Sequence, residues 1–414
     1  MRPPLTVWVT WLVLMAGANL ATPLYALYAS RFHFSSLVLT TVFATYAVVL
    51  VPALILFGRL SDQFGRRPVI LAGLGVAGLG LALFAAADGT AWLYGARAVQ
   101  GLAVGMIGGP ATAALVELDP DGDRRRAALF AGLAQAGGSA TGPLVAGVLA
   151  QWAPDPLRLC YLVGIGGAVA VAAATLTLPA AGGGGERWRP QWPHVPREIR
   201  GGFARVSLTA AVAWASVALY LSIVPSYAAQ LSTTHDVALL AAIAALALLS
   251  SCVAQIVAPR HTQGAGLVVL GVGLLGLVLA APAHSLVVLV VGSVLAGAGH
   301  GAAFLDAQQD MNEIAPEGSR GEITSAFIAA IYAAVACAVV GTGLLDLVFS
   351  LQTAVAAVAS ALLVLSAAAA ALAFGAWPRA RASGSWPRSQ RSRQERRPSR
   401  SRRSASTARP ARSR

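Results

Sequence analysis

Lysine is absent from this chain of 414 residues, so all thirty basic residues are arginine. Charge of either sign is scarce, at 11% of residues, while hydrophobic residues make up 57% and the mean hydropathy is +0.68. A soluble fold with one core is excluded by that balance, and a polytopic membrane protein is implied. Cysteine is rare as well. Cys160, Cys252 and Cys337 lie far apart inside apolar runs, which excludes a disulfide framework and a metal-ligand spacing. No nucleophile beside a base and no phosphate-binding loop occurs among the apolar runs, so neither an enzyme nor a cofactor is expected. The net charge of +13 suggests nucleic acid until it is located: residues 377–414 hold thirteen Arg and one acid, Glu395, and the body is close to neutral. That tail, rich in Arg, Ser and Pro, reads as disordered and solvated. Its one alternative partner is anionic lipid.

What fills the rest is a succession of apolar runs of about twenty residues, each long enough to cross a bilayer. They fall near 7–28, 36–57, 69–87, 90–116, 127–149 and 157–178, then near 206–229, 237–257, 265–281, 286–311, 323–345 and 351–374. The expected fold is therefore an all-α membrane protein with twelve transmembrane helices in two six-helix halves. The first run follows Arg2 and is read as a retained helix and not as a secretory signal. Residues 179–202 contain Gly182 to Gly185, Pro190, Pro193 and Pro196 and cannot span, so they form a linker between an N-terminal half, 1–178, and a C-terminal half, 203–376. Arg59, Arg66, Arg67, Arg124 to Arg126, Arg187, Arg189, Arg197, Arg200, Arg205, Arg260 and Arg320 fall on the side of the termini, against Arg31 and Arg158 opposite. Both termini are accordingly cytoplasmic.

The halves repeat each other. Glu117, Leu118, Pro120, Asp121, Gly122 and Arg124 recur as Glu313, Ile314, Pro316, Glu317, Gly318 and Arg320 at a constant offset of 196. Gly101 and Gly105 are answered at the same offset by Gly297 and Gly301. Between the second and third runs lies a charged turn, Gly58-x-Leu60-Ser61-Asp62-x-x-Gly65-Arg66-Arg67, whose glycines permit a sharp reversal. This pattern resembles the loop between the second and third spans of major facilitator superfamily transporters. Such transporters are built from two parallel halves with the substrate at their interface. The resemblance implies that Asp62 locks the halves at the cytoplasmic face, against the start of span 11 near Gly321 to Thr324, with Arg66 paired to Glu117 or Asp119.

Arg97 lies about two turns into span 4, where a charge costs about 2.5 kcal/mol or more, so it should face the bundle interior. Together with Gln100 and Gly101 it resembles the R-x-x-Q-G signature of proton-linked members of the superfamily. Gly138, Gly142, Pro143 and Gly147 in span 5 resemble the G-x-x-x-G-P-x-x-G-G motif of drug and proton antiporters, with Ala146 replacing one glycine. Small residues there allow close helix approach. An arginine cannot itself carry a proton, so the carrier is sought in a second residue close to Arg97. His300, in mid-span 10, is the first candidate and Asp306 the next, while Asp310 and Glu313 are read as rim ion-pair acids. Asn19, Tyr25, Gln135, Tyr220 and Tyr332 are polar groups that could face a substrate cavity or pack in the core.

The resemblance implies a monomeric secondary transporter of a bacterial cell membrane, working by alternating access, with proton-coupled export of drugs or small metabolites as the leading activity. Two readings stay open beside it: an importer of a sugar or other small solute, and a non-transporting membrane sensor with the same fold.

Overall fold

The computed structural model describes residues 3–57, 60–119, 123–179, 195–232, 234, 236–316 and 320–382. The side chains of Asp62, Arg124, Arg320, Gly321 and residues 376–382 are also outside the description. Every described element is a helix, as expected where a bilayer leaves backbone groups no partner outside their own segment. The N-terminal half comprises α1 (Pro3–Asn19), α2 (Tyr25–Phe32), α3 (Ser36–Phe57), α4 (Leu60–Phe64), α5 (Arg66–Ala85), α6 (Thr90–Glu117), α7 (Arg124–Trp152) and α8 (Pro156–Thr175). A 3-10 turn at Arg197–Ile199 leads into α9 (Arg200–Ser222), α10 (Val224–Ser232), α11 (Val237–Val257), α12 (Gln263–Ala280), α13 (Leu286–Ile314), α14 (Arg320–Leu345) and α15 (Leu351–Ala382).

Ten helices among the described residues are long and apolar enough to cross a membrane. The other two predicted spans are helical but differ from expectation. The first, placed near 7–28, is broken: Leu20, Thr22 and Leu24 donate backbone bonds to Gly17, Asn19 and Ala21, three residues back, and α2 begins afterwards. The second is α7, which is long but rich in Gly, Ser, Thr and Gln and begins with three arginines. The seventh span, placed near 206–229, is interrupted at Ile223 between α9 and α10. Prolines account for both breaks, since Pro23 and Pro225 have no N–H and their rings crowd the preceding turn. Pro52, Pro110 and Pro143 nevertheless sit inside unbroken helices.

Helix starts follow capping chemistry. Asp123 accepts from the amides of Arg125 and Arg126, Asp236 from Leu239, and Ser285 from Val288. The expected linker loses its end to structure, because α9 starts at Arg200; residues 180–194 lie outside the description. The last helix runs to Ala382, into the segment expected to be disordered, and residues 383–414 are likewise outside. Phe374 onward forms a separate unit.

Packing within the two halves corresponds. The pairs α5–α6, α3–α6 and α1–α7 are answered by α12–α13, α11–α13 and α9–α14. The repeated glycines explain it: a Cβ on Gly101 would strike the carbonyl of Tyr46 in α3, and one on Gly297 the carbonyl of Ala247 in α11. One turn on, Gly105 meets Leu50 and Ala53 of α3, and Gly301 meets Ser251 of α11. Each half thus brings two backbones into direct contact through the same sequence device.

Two seams join the halves, α7 against α11 and α3 against α14. The first runs the whole helix length, from Gly132 beside Gln255 to Gln151, whose side-chain oxygen accepts from the amide of Val237 at 2.9 Å. Along the second, Thr40 touches Gly343, and the rings of Tyr46 and Tyr332 meet edge to face at 5.9 Å.

Candidate functional site

At the end of the bundle carrying the charged turn, Gly65 adopts φ 89°, a left-handed conformation that suits glycine, and its amide closes α4 by donating to Ser61 at 2.9 Å. Arg66 then donates to the Ser61 hydroxyl and to the Glu117 carboxylate, the latter at 2.9 Å. Asp119 is engaged instead by Arg126, through two bonds of 2.7 Å. Arg67 donates to the carbonyl of Leu178 at 3.3 Å. Gly58 and the side chains of Asp62 and Gly321 lie outside the described residues.

Arg97 is 2% exposed. Its guanidinium donates through Nε to the Tyr25 hydroxyl and through Nη1 to the Ala18 carbonyl at 2.6 Å and to Gln100 Oε1 at 2.9 Å. Gln100 donates in turn to the Gly17 carbonyl at 3.3 Å. Both carbonyls belong to the broken end of α1. Since Thr22 donates to Asn19, the Ala18 carbonyl lacks its usual helical partner, and the arginine supplies one. The faces of Tyr25, Phe43 and Phe84 surround the charge, with centroids 5.3–5.6 Å from the guanidinium carbon. Nη2 is buried without a hydrogen-bond partner.

The glycine motif of α7 lies on a backbone contact. A Cβ on Gly138 would strike the carbonyl of Leu12, and one on Gly142 the carbonyl of Ala16, so α1 and α7 touch along the motif. Gly147 faces Ala241 of α11 across the seam. Pro143 stays within a continuous helix.

His300 is fully buried in the C-terminal half. Its Nδ1 shares a hydrogen bond of 2.8 Å with the Ser251 hydroxyl, and its ring meets Trp214 edge-on at 4.8 Å and stacks on Phe304 at 5.6 Å. Ser251 also accepts from Gln255 at 3.2 Å. The expected neighbourhood of Arg97 and His300 is therefore corrected. The partners of Arg97 are Tyr25, Ala18 and Gln100, whereas His300 bonds to Ser251 on α11, because α6 packs chiefly against α3 and α5, and α13 chiefly against α11 and α12. Asp306 has another occupation: its two carboxylate oxygens accept from the amides of His261 and Gln263, each at 3.1 Å, holding the α11–α12 turn. Asp310 lies 3.7 Å from Arg205, matching its reading as a rim acid.

The other polar candidates divide. Asn19 donates to Met15 and to the Ser139 hydroxyl, joining α1 to α7. Tyr25 belongs to the Arg97 cluster, and Tyr220 is buried in the C-terminal half with its hydroxyl on the Gly273 carbonyl at 3.1 Å. Gln135 is half-buried on α7, and Tyr332 stands at the α3–α14 seam. Sequence reasoning passed over Trp214, Ser251, Gln255 and Asp346. For the first three no local pattern marks the contacts, whereas Asp346, an acid at the end of an apolar run, was a visible signal.

The Major Facilitator Superfamily model matches residues 7–262. Over 117 residues the chain is 33% identical to the class G tetracycline resistance protein of Vibrio anguillarum, a stretch that covers 28% of each. The puromycin resistance protein pur8 of Streptomyces alboniger is 34% identical over 113 residues, 27% of this chain and 22% of that one. The chain therefore matches only 22–28% of the length of these relatives. Among solved structures, a bacterial homolog of the human lysosomal transporter Spinster, inward-facing and occupied, superposes with a TM-score of 0.68 at 15% identity, covering 91% of this chain and 96% of the other. With more than half of its length matched by the family model, the chain belongs to the Major Facilitator Superfamily of multi-pass membrane transporters.

Proposed function

We propose that the chain exports drugs or small metabolites in exchange for protons. The observation that carries the reading is Arg97. A guanidinium held inside a membrane helix bundle is costly, and intramembrane charges of this kind mark transport pathways. Its fit to a broken first helix also ties that charge to an element able to change shape. Similarity to proteins named for tetracycline and puromycin resistance supports a drug-like cargo, and the α1–α7 glycine contact supports antiport. In this reading the Arg66 end faces the cytoplasm of a bacterial cell, with both termini there, and Asp62 acts as a latch. The working unit is a monomer.

Proteoliposomes containing the purified chain, given an imposed pH gradient, test the proposal with tetracycline, puromycin, lipophilic cations and sugars as cargo. Gradient-dependent movement of a drug-like cargo against protons is the expected result. Sugar movement with the proton would establish an importer, and absence of any flux would leave the sensor reading.

A further inference from the structure

At the end of the bundle opposite the Arg66 turn, Ser36 and Thr40 of α3 meet Ser222, Ile223 and Ser226 around the α9–α10 break, Thr342 and Gly343 of α14, and Asp346 just past its end. They enclose a crevice of about 30 Å³, room for one or two water-sized groups. Its chemistry is one-sided. The hydroxyl of Thr40 donates to the Leu37 carbonyl, that of Ser222 to Ala218 and that of Thr342 to Ala338, at 2.7–3.0 Å. With their protons turned back into their own helices, these oxygens can present only lone pairs to the crevice. Asp346 is half-buried, is the sole ionisable side chain of the lining, and its carboxylate has no hydrogen-bond or ion-pair partner among the described residues. Leu39, Ile223 and Leu351 form the apolar remainder of the lining, and the acceptor oxygens gathered beside an unpaired carboxylate leave a place for a positive charge.

From this arrangement we infer that the crevice is a binding site for a small monovalent cation, with Asp346 as its charged ligand and the hydroxyls as neutral ones. Hard cations of this size take oxygen donors of these kinds. The crevice spans the α3–α14 seam, where Thr40 and Gly343 touch, so the site is complete only when the halves are closed at this end. Occupancy thereby favours that closed arrangement, since a ligand shifts an equilibrium toward the state that binds it better. A role as the driving ion rests on the exporter reading. The binding itself does not, and its test needs no cargo.

The test is thermal unfolding of the full chain in detergent at constant ionic strength, with sodium replacing choline at fixed pH, and separately with pH lowered in choline alone. Bound cation stabilises by mass action, so the midpoint should rise with sodium concentration or, if hydronium is the occupant, with acidity only. Asp346→Asn should abolish the response, while Asp88→Asn, at an exposed acid outside the crevice, should keep it. Ser226→Ala, which removes one oxygen and little volume, should raise the half-maximal cation concentration severalfold and covers the case of an unfolded Asp346→Asn. A wild-type chain indifferent to both sodium and pH, or Asp346→Asn and Ser226→Ala chains responding as wild type does, would overturn the assignment.

Discussion

Arg97 carries more structural duty than its motif suggests. Its depth and inward direction were readable from position, because an arginine two turns inside an apolar run has few alternatives. Its partners were not, since the Tyr25 hydroxyl and the Ala18 carbonyl come from α2 and α1, 72 and 79 residues earlier. Arg97→Ala should reduce pH-driven accumulation to background in the proteoliposome assay, and it should also lower the unfolding midpoint, because the Ala18 carbonyl and Gln100 lose their donor. Arg97→Lys restores the charge but not the fork and should recover only part of each. The same geometry predicts non-additivity. Pro23→Ala would let α1 continue and give the Ala18 carbonyl a helical partner, so in a double-mutant cycle it should soften the stability loss of Arg97→Ala while leaving accumulation absent. Simple additivity of the two midpoint changes would sever the link between the break and the charge. His300, bonded to Ser251 and not to Arg97, can serve our proposal only as a proton site independent of the arginine. His300→Ala should then preserve cargo exchange down its own gradient and flatten the pH dependence of transport; a wild-type pH profile would move the proton site elsewhere.

At the level of helices, the spans were legible because a bilayer allows only internally bonded, apolar segments, and the repeated glycines because close backbone approach excludes side chains. The breaks at Leu20–Leu24 and at Ile223 were harder. Five prolines stand within predicted spans 1, 2, 4, 5 and 7, yet only Pro23 and Pro225 interrupt a helix. At Pro23 the surroundings make the difference, as the carbonyls freed there find Arg97 and Gln100. The motif of α7 gives the sharpest test at this scale. A Cβ at Gly142 has no space beside the Ala16 carbonyl, so Gly142→Ala should destabilise by about 1–3 kcal/mol, the usual cost of overpacking. Gly142→Leu should part the helices and end coupled export. Gly166→Ala, where an added Cβ meets nothing within 4 Å, should be close to neutral. Equal unfolding midpoints for all three would return the motif to ordinary helix composition.

For the molecule as a whole, the halves meet along two seams and the charged turn sits where α3 passes into α5. Arg66 ties that turn to the end of α6, within its own half. In our proposal the bridge to the other half is made by Asp62. Asp62→Asn should slow transport severely without lowering expression, and should increase labelling of cysteines placed at the Arg66 end of the seams; unchanged transport would remove the latch. The stitching of glycine to backbone has a further consequence. Gly101 and Gly105 bind α6 to α3, and Gly297 and Gly301 bind α13 to α11, so the helices before residue 179 and those after residue 200 have close contacts of their own that do not depend on the covalent link between them. A gene cut within that stretch and expressed as two polypeptides should yield fragments that find each other in the membrane, co-purify and move cargo, making the continuity of the chain a matter of delivery and not of architecture.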